Sequence, residues 1–189
     1  MLPLSPAMFL AAATAWLPDD APFPAVLDDN ELDPLRRDDH GPRDGVTTAA
    51  FIGHIGYWAH RQARGVSTWP FPLTADCDAL ARIARQRRVL TVCELDLGPI
   101  LLRWSHVEKR FTRASIVVEI DECPLFGNWT YDCQVVEGGA VHLRRARNGA
   151  PRVQMQWVRR ARRRCCPMLG DRFISWVDLD ARDRIARVA

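Results

Sequence analysis

Apolar positions along this chain follow two rhythms. Between Thr47 and Gln62, Thr48, Phe51, Ile55 and Trp58 return at intervals of three or four, which predicts a helix with one inward stripe, capped by Asp44 and ended by Gly65. Thr74 is the expected cap of a second helix running to Arg87, with Leu80, Ile83 and Ala84 on its buried side. A shorter helix is expected over Ala7–Trp16, after Ser5-Pro6 and before Pro18. Trp69-Pro70-Phe71-Pro72 reads as a rigid turn between the two longer helices.

From Val89 onward the rhythm changes to apolar runs and alternation. Strands are predicted over Pro99–Trp104, Ala114–Ile120 and Tyr131–Arg145, the last folding back at Gly138-Gly139 as a hairpin. That turn would set Glu137 across from Ala140 and bring Cys133, Val135, Glu137, Ala140 and His142 to one face. Asn148-Gly149 signals a second hairpin leading into Val153–Val158, where Val153, Met155 and Trp157 are expected on one side. Phe173–Val177 reads as a last strand and Asp178–Val188 as a terminal helix. Helices first and antiparallel strands after is an α+β order.

Composition refines this picture without redirecting it. At 48% hydrophobic and 26% charged, the chain can bury a core. The expected division is an N-terminal helix with an acidic, Pro-rich arm over residues 1–44, then one domain over 45–189. Charge is uneven: Ala140 to Gly170 holds nine arginines and no acid, whereas acids dominate the arm. Arg159, Arg160, Arg162, Arg163 and Arg164 cluster after Trp157, a candidate phosphate or nucleic-acid surface or a dock for acidic chain. No helix-turn-helix, RRM or zinc-finger pattern accompanies them.

The six cysteines form no CxxC pair, so buried free thiols are expected rather than a zinc site. Asp28-Asp29-Asn30-Glu31 lacks calcium-loop spacing, and no metal or cofactor is expected. No stretch has the length of a membrane span. The apolar run Met8–Leu17 has no basic residue before it, which argues against a secretory signal and slightly favours the cytoplasm.

Four short runs, in order, resemble motifs of the CHAP and NlpC/P60 families, papain-like cysteine amidases and peptidases of bacterial cell walls. Thr47-Thr48-Ala49-Ala50-Phe51-Ile52 stands where the family has Trp-Cys-Ala-Ala-Phe-Val. Gly98-Pro99-Ile100 stands for Gly-Asp-Ile, Arg113-Ala114-Ser115-Ile116-Val117 for His-x-Gly-Ile-Val, and Val136-Glu137-Gly138-Gly139 for Ile-Glu-Gly-Asn. The resemblance implies a papain-like antiparallel sheet with helices packed on it, and a cleft for a peptide or muropeptide. It also implies that Thr48 replaces the nucleophilic Cys and Arg113 the His, with only Glu137 kept.

Thr needs a base to take its proton, and Arg, with a pKa above about 12, cannot serve. A degenerate binding or regulatory domain is therefore expected, with Arg113 and Glu137 paired across neighbouring strands. The alternative is a working amidase whose catalytic set is drawn from Thr48, His54, His106, Cys133, Glu137 and His142. In that alternative His106 swings into the base position, or Cys133, Glu137 and His142 form a relocated site.

Overall fold

A computed structural model describes residues 6–17, 46–64, 76–92, 99–122, 130–143 and 152–174. Helix α1 spans Pro6–Thr14, α2 Thr48–Arg64 and α3 Cys77–Gln86. The strands are β1 (Val46–Thr47), β2 (Leu90–Thr91), β3 (Ile100–Ser105), β4 (Arg110–Glu122), β5 (Tyr131–Leu143), β6 (Arg152–Cys165) and β7 (Arg172–Ile174). All pair antiparallel in one sheet. The chain is thus α+β, with a mostly antiparallel sheet and a few helices.

β5 is the spine of the sheet. One of its edges pairs with β6 along its whole length. The other pairs with β4 from Tyr131 to Val136 and with β1 at Ala140 and Val141. β1 and the start of α2 therefore fill the seam where β4 leaves β5. Beyond β4 the order continues β3, β7, β2.

Local chemistry explains the helix starts. Thr47 is the residue before α2, and its hydroxyl accepts from Ala50 N at 3.1 Å, satisfying one otherwise unpaired donor. Asp76 caps α3 in the same way through Asp78 N, two residues past the expected Thr74. Asp78 then reaches across to accept from Phe111 N at 2.8 Å, which ties α3 to β4. The caps expected of Asp44 and Thr74, the stop at Gly65 and the turn at Trp69–Pro72 lie outside the described residues. So do the acidic arm, the turn at Asn148-Gly149 and the terminal helix.

Two apolar clusters lie on opposite faces of the sheet. On the helix side, Phe9, Phe51, Ile52, Ile55, Leu80 and Ala84 pack on Ile100, Leu102, Ala114, Ile116, Val136 and Ala140. The other face carries Leu101, Val117, Tyr131, Cys133, Val135, Ala161, Cys165 and Phe173. Alternation along a strand sorts neighbours such as Leu101 and Leu102 between the two. Trp58, placed on the inward stripe by its spacing, is instead exposed.

The expected hairpin at Gly138-Gly139 does not form, because both glycines sit in the middle of β5. Their role is close approach. A Cβ on Gly138 would fall 2.3 Å from Phe51 Cδ2, and one on Gly139 would fall 2.3 Å from Trp157 Nε1. Gly138 thus lets α2 settle onto the sheet, and Gly139 makes room for Trp157. Without the turn, Ala140 falls on the helix side and no longer shares a face with Cys133, Val135 and Glu137.

A second correction concerns β6. Gly139 pairs with Trp157 but Ala140 pairs with Met155, so Gln156 is an extra residue. That bulge flips the alternation. Val153 and Met155 pack toward the helix-side cluster, whereas Trp157 opposes Gly139 on the other face.

Candidate functional site

Glu137 is fully buried on the face away from the helices. Its register partner on β6 is Arg159. Four residues of β6 further on, Arg163 returns to the same face, 2% exposed. Arg163 donates Nε to Glu137 Oε1 at 2.6 Å and Nη2 to Oε2 at 2.7 Å, a two-pronged fit between planar groups. Arg159 donates Nε and Nη2 to Oε2 at 3.3 and 3.2 Å. From β4, Ser115 Oγ donates to Oε1 at 3.0 Å.

Five donors converge on a carboxylate that offers about four lone-pair positions. Burial alone would push this carboxyl up. The hydrogen bonds and charge of Arg163, helped by the charges of Arg113 and Arg159, more than reverse that and hold it down at about 2. Glu137 is therefore an anion with no spare acceptor, unable to take a proton near neutral pH.

A second polar group lies on the same face. Arg103 of β3 is the register partner of Arg113 on β4, and both are buried. Like charges set opposite each other repel. Asp171, buried just before β7, offsets this next to Arg103. Its Oδ1 accepts from Trp104 N and its Oδ2 from Cys166 N, each at 2.9 Å. Burial nevertheless raises the Asp171 carboxyl above its ordinary value.

Thr48 has a separate set of partners. It opens α2 at the seam between β4 and β5, and its Oγ1 accepts from Ala114 N at 2.8 Å. The same oxygen lies 3.8 Å from Cys77 Sγ. Burial pushes the Cys77 thiol up to about 12, so it is neither a thiolate nor a base for Thr48. Arg113 and Glu137 belong to the buried polar face with Ser115, and Thr48 belongs to the helix–sheet seam.

The other candidates are dispersed. His106 lies in the turn between β3 and β4, beyond Arg110, which is itself five strand positions or roughly 16 Å along β4 from Ser115. His54 sits on α2 between Trp16 and Trp58, with ring centroids 5.6 and 6.3 Å away, and burial lowers its pKa. Cys133 shares the Glu137 face and is buried, with its thiol 3.9 Å from Tyr131 O. The side chain of His142 lies outside the described residues, though its backbone pairs with Val153. Cys165, also buried, has its thiol pushed up by burial.

The arginine cluster divides between the two faces of β6. Arg159 and Arg163 serve Glu137, and Arg164 pairs with Asp132 at 3.0 Å across the strands. Arg160 and Arg162 point to the helix side, both half-buried. Arg159 also lies over the exposed Trp157 ring, 5.3 Å from its centroid. Sequence reasoning missed the Arg163–Glu137–Ser115 core of this network. Its signal was only approximate: counting outward from the expected Asn148-Gly149 turn sets Glu137 opposite Arg160, one residue from its observed partner Arg159.

Among the described residues, no helix is long and apolar enough to cross a membrane. Compared with known proteins, the chain matches no family model, no curated protein and no solved structure.

Proposed function

We propose that this chain is a non-catalytic binding domain of papain-like architecture, related in layout to the CHAP and NlpC/P60 amidases, which holds a peptide or muropeptide without cleaving it. The observation that carries the reading is the state of Glu137. A residue that would orient or accept a proton in a hydrolase is instead fully buried, fully bonded and held ionised by Arg163. Two further observations support it. Thr48 begins a helix against the strand bearing Arg113, the arrangement the resemblance leads one to expect, yet its hydroxyl accepts a backbone N–H and meets no base among the described residues. Two of the described thiols, Cys77 beside Thr48 and Cys165 on the Glu137 face, are held as thiols by burial.

The magnitudes favour binding over turnover. A positioned general base contributes about 10² to 10⁴ in rate. Loss of a triad's nucleophile or base can cost on the order of 10⁶. The test is to incubate purified protein with insoluble peptidoglycan and with model amides. The expected result is co-sedimentation with peptidoglycan and no released product. Product release that disappears in Thr48→Val would overturn the proposal.

A further inference from the structure

We infer that the outer edge of β6, from Val153 to Arg159, is a docking site for an extended acidic peptide that adds to the sheet as a further strand. The inference rests on reading the chain as a binding module, and it names the surface and its partner.

β6 is a long strand that pairs only with β5 among the described residues. Every second residue of such a strand turns its N–H and C=O away from the neighbour, and those groups need partners. Over Val153–Arg159 the side chains flanking this edge are open: Gln154, Gln156, Trp157 and Arg159 are exposed, Trp157 at 41%. A large aromatic ring left that open, beside an edge that pairs with no other strand among the described residues, suits covering by a partner.

Charge selects the occupant. The segment Ala140–Gly170 contains no acid. Arg159, with its side chain 51% exposed, spends two of its five N–H groups on Glu137. Glu137 holds one side of that guanidinium, which lies over the Trp157 ring, and the other three N–H groups are not spent on Glu137. A carboxylate on the incoming strand would meet those donors, and an apolar neighbour two residues along would lie on the Trp157 ring.

A second copy of this chain fits poorly, because pairing two β6 strands joins two segments that are basic and carry no acid to meet the arginines. A single-stranded nucleic acid would satisfy the arginines and stack on Trp157. It has no backbone N–H to satisfy the outward carbonyls of the strand, and the edge offers one exposed aromatic rather than a row of them. An acidic peptide satisfies backbone, ring and charge together.

The experiment uses the full chain and a fluorescein-labelled eight-residue peptide of two Glu-Glu-Val-Val repeats, which sets Glu and Val two residues apart on each face, read by anisotropy. The controls are the same peptide with Lys for Glu, oligo-dT of similar length, and two versions of the acidic peptide N-methylated at alternate residues in opposite phases. Binding of the acidic peptide is expected. So is at least tenfold weakening in one methylation phase only, since only one phase faces β6. Arg159→Gln and Trp157→Ala should each weaken binding severalfold when measured well below each variant's own unfolding midpoint, so that a lost surface contact is separated from the lost Glu137 contact. Equal affinity for the Lys peptide, indifference to both methylation phases, or tighter binding of oligo-dT would each overturn the inference. Peptidoglycan turnover would defeat the non-catalytic reading while leaving these peptide measurements to stand or fall separately.

Discussion

Replacing Glu137 by Gln keeps the shape of the buried network and removes its negative charge. Arg163 would remain 2% exposed with its bidentate partner gone. Breaking a buried ion pair from one side typically costs about 3 to 5 kcal/mol, because the remaining charge is left uncompensated. The titration of Glu137 gives a second route to the magnitude. Its carboxyl moves from an ordinary 4.5 to about 2 on folding. At about 1.4 kcal/mol per unit this is roughly 3 kcal/mol of stabilisation linked to ionisation. The folded value is the lower one, so the contribution is full above pH 4.5 and is lost as pH falls toward 2.

The assay is urea unfolding of parent and Glu137→Gln between pH 7 and pH 2. At pH 7 the variant should be less stable by about 3 kcal/mol or more. That gap should narrow through the window from 4.5 to 2 as the parent loses its ionised carboxylate. Other carboxylates also titrate there, so the difference between the two proteins is the informative quantity. A gap below about 1 kcal/mol at pH 7, or one that does not change with pH, would refute the reasoning.

Other predictions follow from the same geometry. Pairing Glu137→Met with Arg163→Met should cost less than either change alone, because neither charge is then stranded; a thermodynamic double-mutant cycle measures the coupling. Gly138→Ala should cost about 1 to 3 kcal/mol through its collision with buried Phe51. Gly139→Ala should cost less, since the exposed Trp157 can swing aside, and chemical denaturation ranks the two. Thr48→Ala removes the acceptor of Ala114 N and should cost about 1 to 3 kcal/mol, with Thr48→Ser near parent stability in the same assay. Cys77, Cys133 and Cys165 should resist alkylation at pH 8 in the folded protein and react once it unfolds, as peptide-resolved mass spectrometry would show.

Much of the architecture was legible in the chain. The spacing of Phe51 and Ile55 marks α2, and the β-branched run Ile116-Val117-Val118 marks β4, because burial of those side chains fixes both element type and face. Gly138-Gly139 misled because two adjacent glycines look the same whether they supply a turn or a close approach. What separates the cases is tertiary: Phe51 presses on one face of β5 and Trp157 on the other. The Trp157 face was misassigned for a related reason. The bulge at Gln156 depends on strand pairing, which no local propensity records.

The candidate site was legible in part. Glu137 stood out as a carboxylate in a strand, and Arg159 and Arg163 as members of a basic run. Their union depends on counting outward from a hairpin centre and on Arg159 and Arg163 sharing a face four residues apart. What reads in the chain as a solvated basic run is divided by strand alternation. One part neutralises a buried acid, and the exposed part of Arg159 remains at the sheet edge.

Carbon-detected NMR of the Glu137 side-chain carboxyl, followed against pH in the folded protein, tests the central claim most directly. A structural carboxylate locked by Arg163 should keep its ionised chemical shift from pH 8 down to the acid limit of the fold, with a midpoint near 2. A midpoint between pH 5 and 7, the range of a working general acid or base, would contradict the account and restore a catalytic role to this residue.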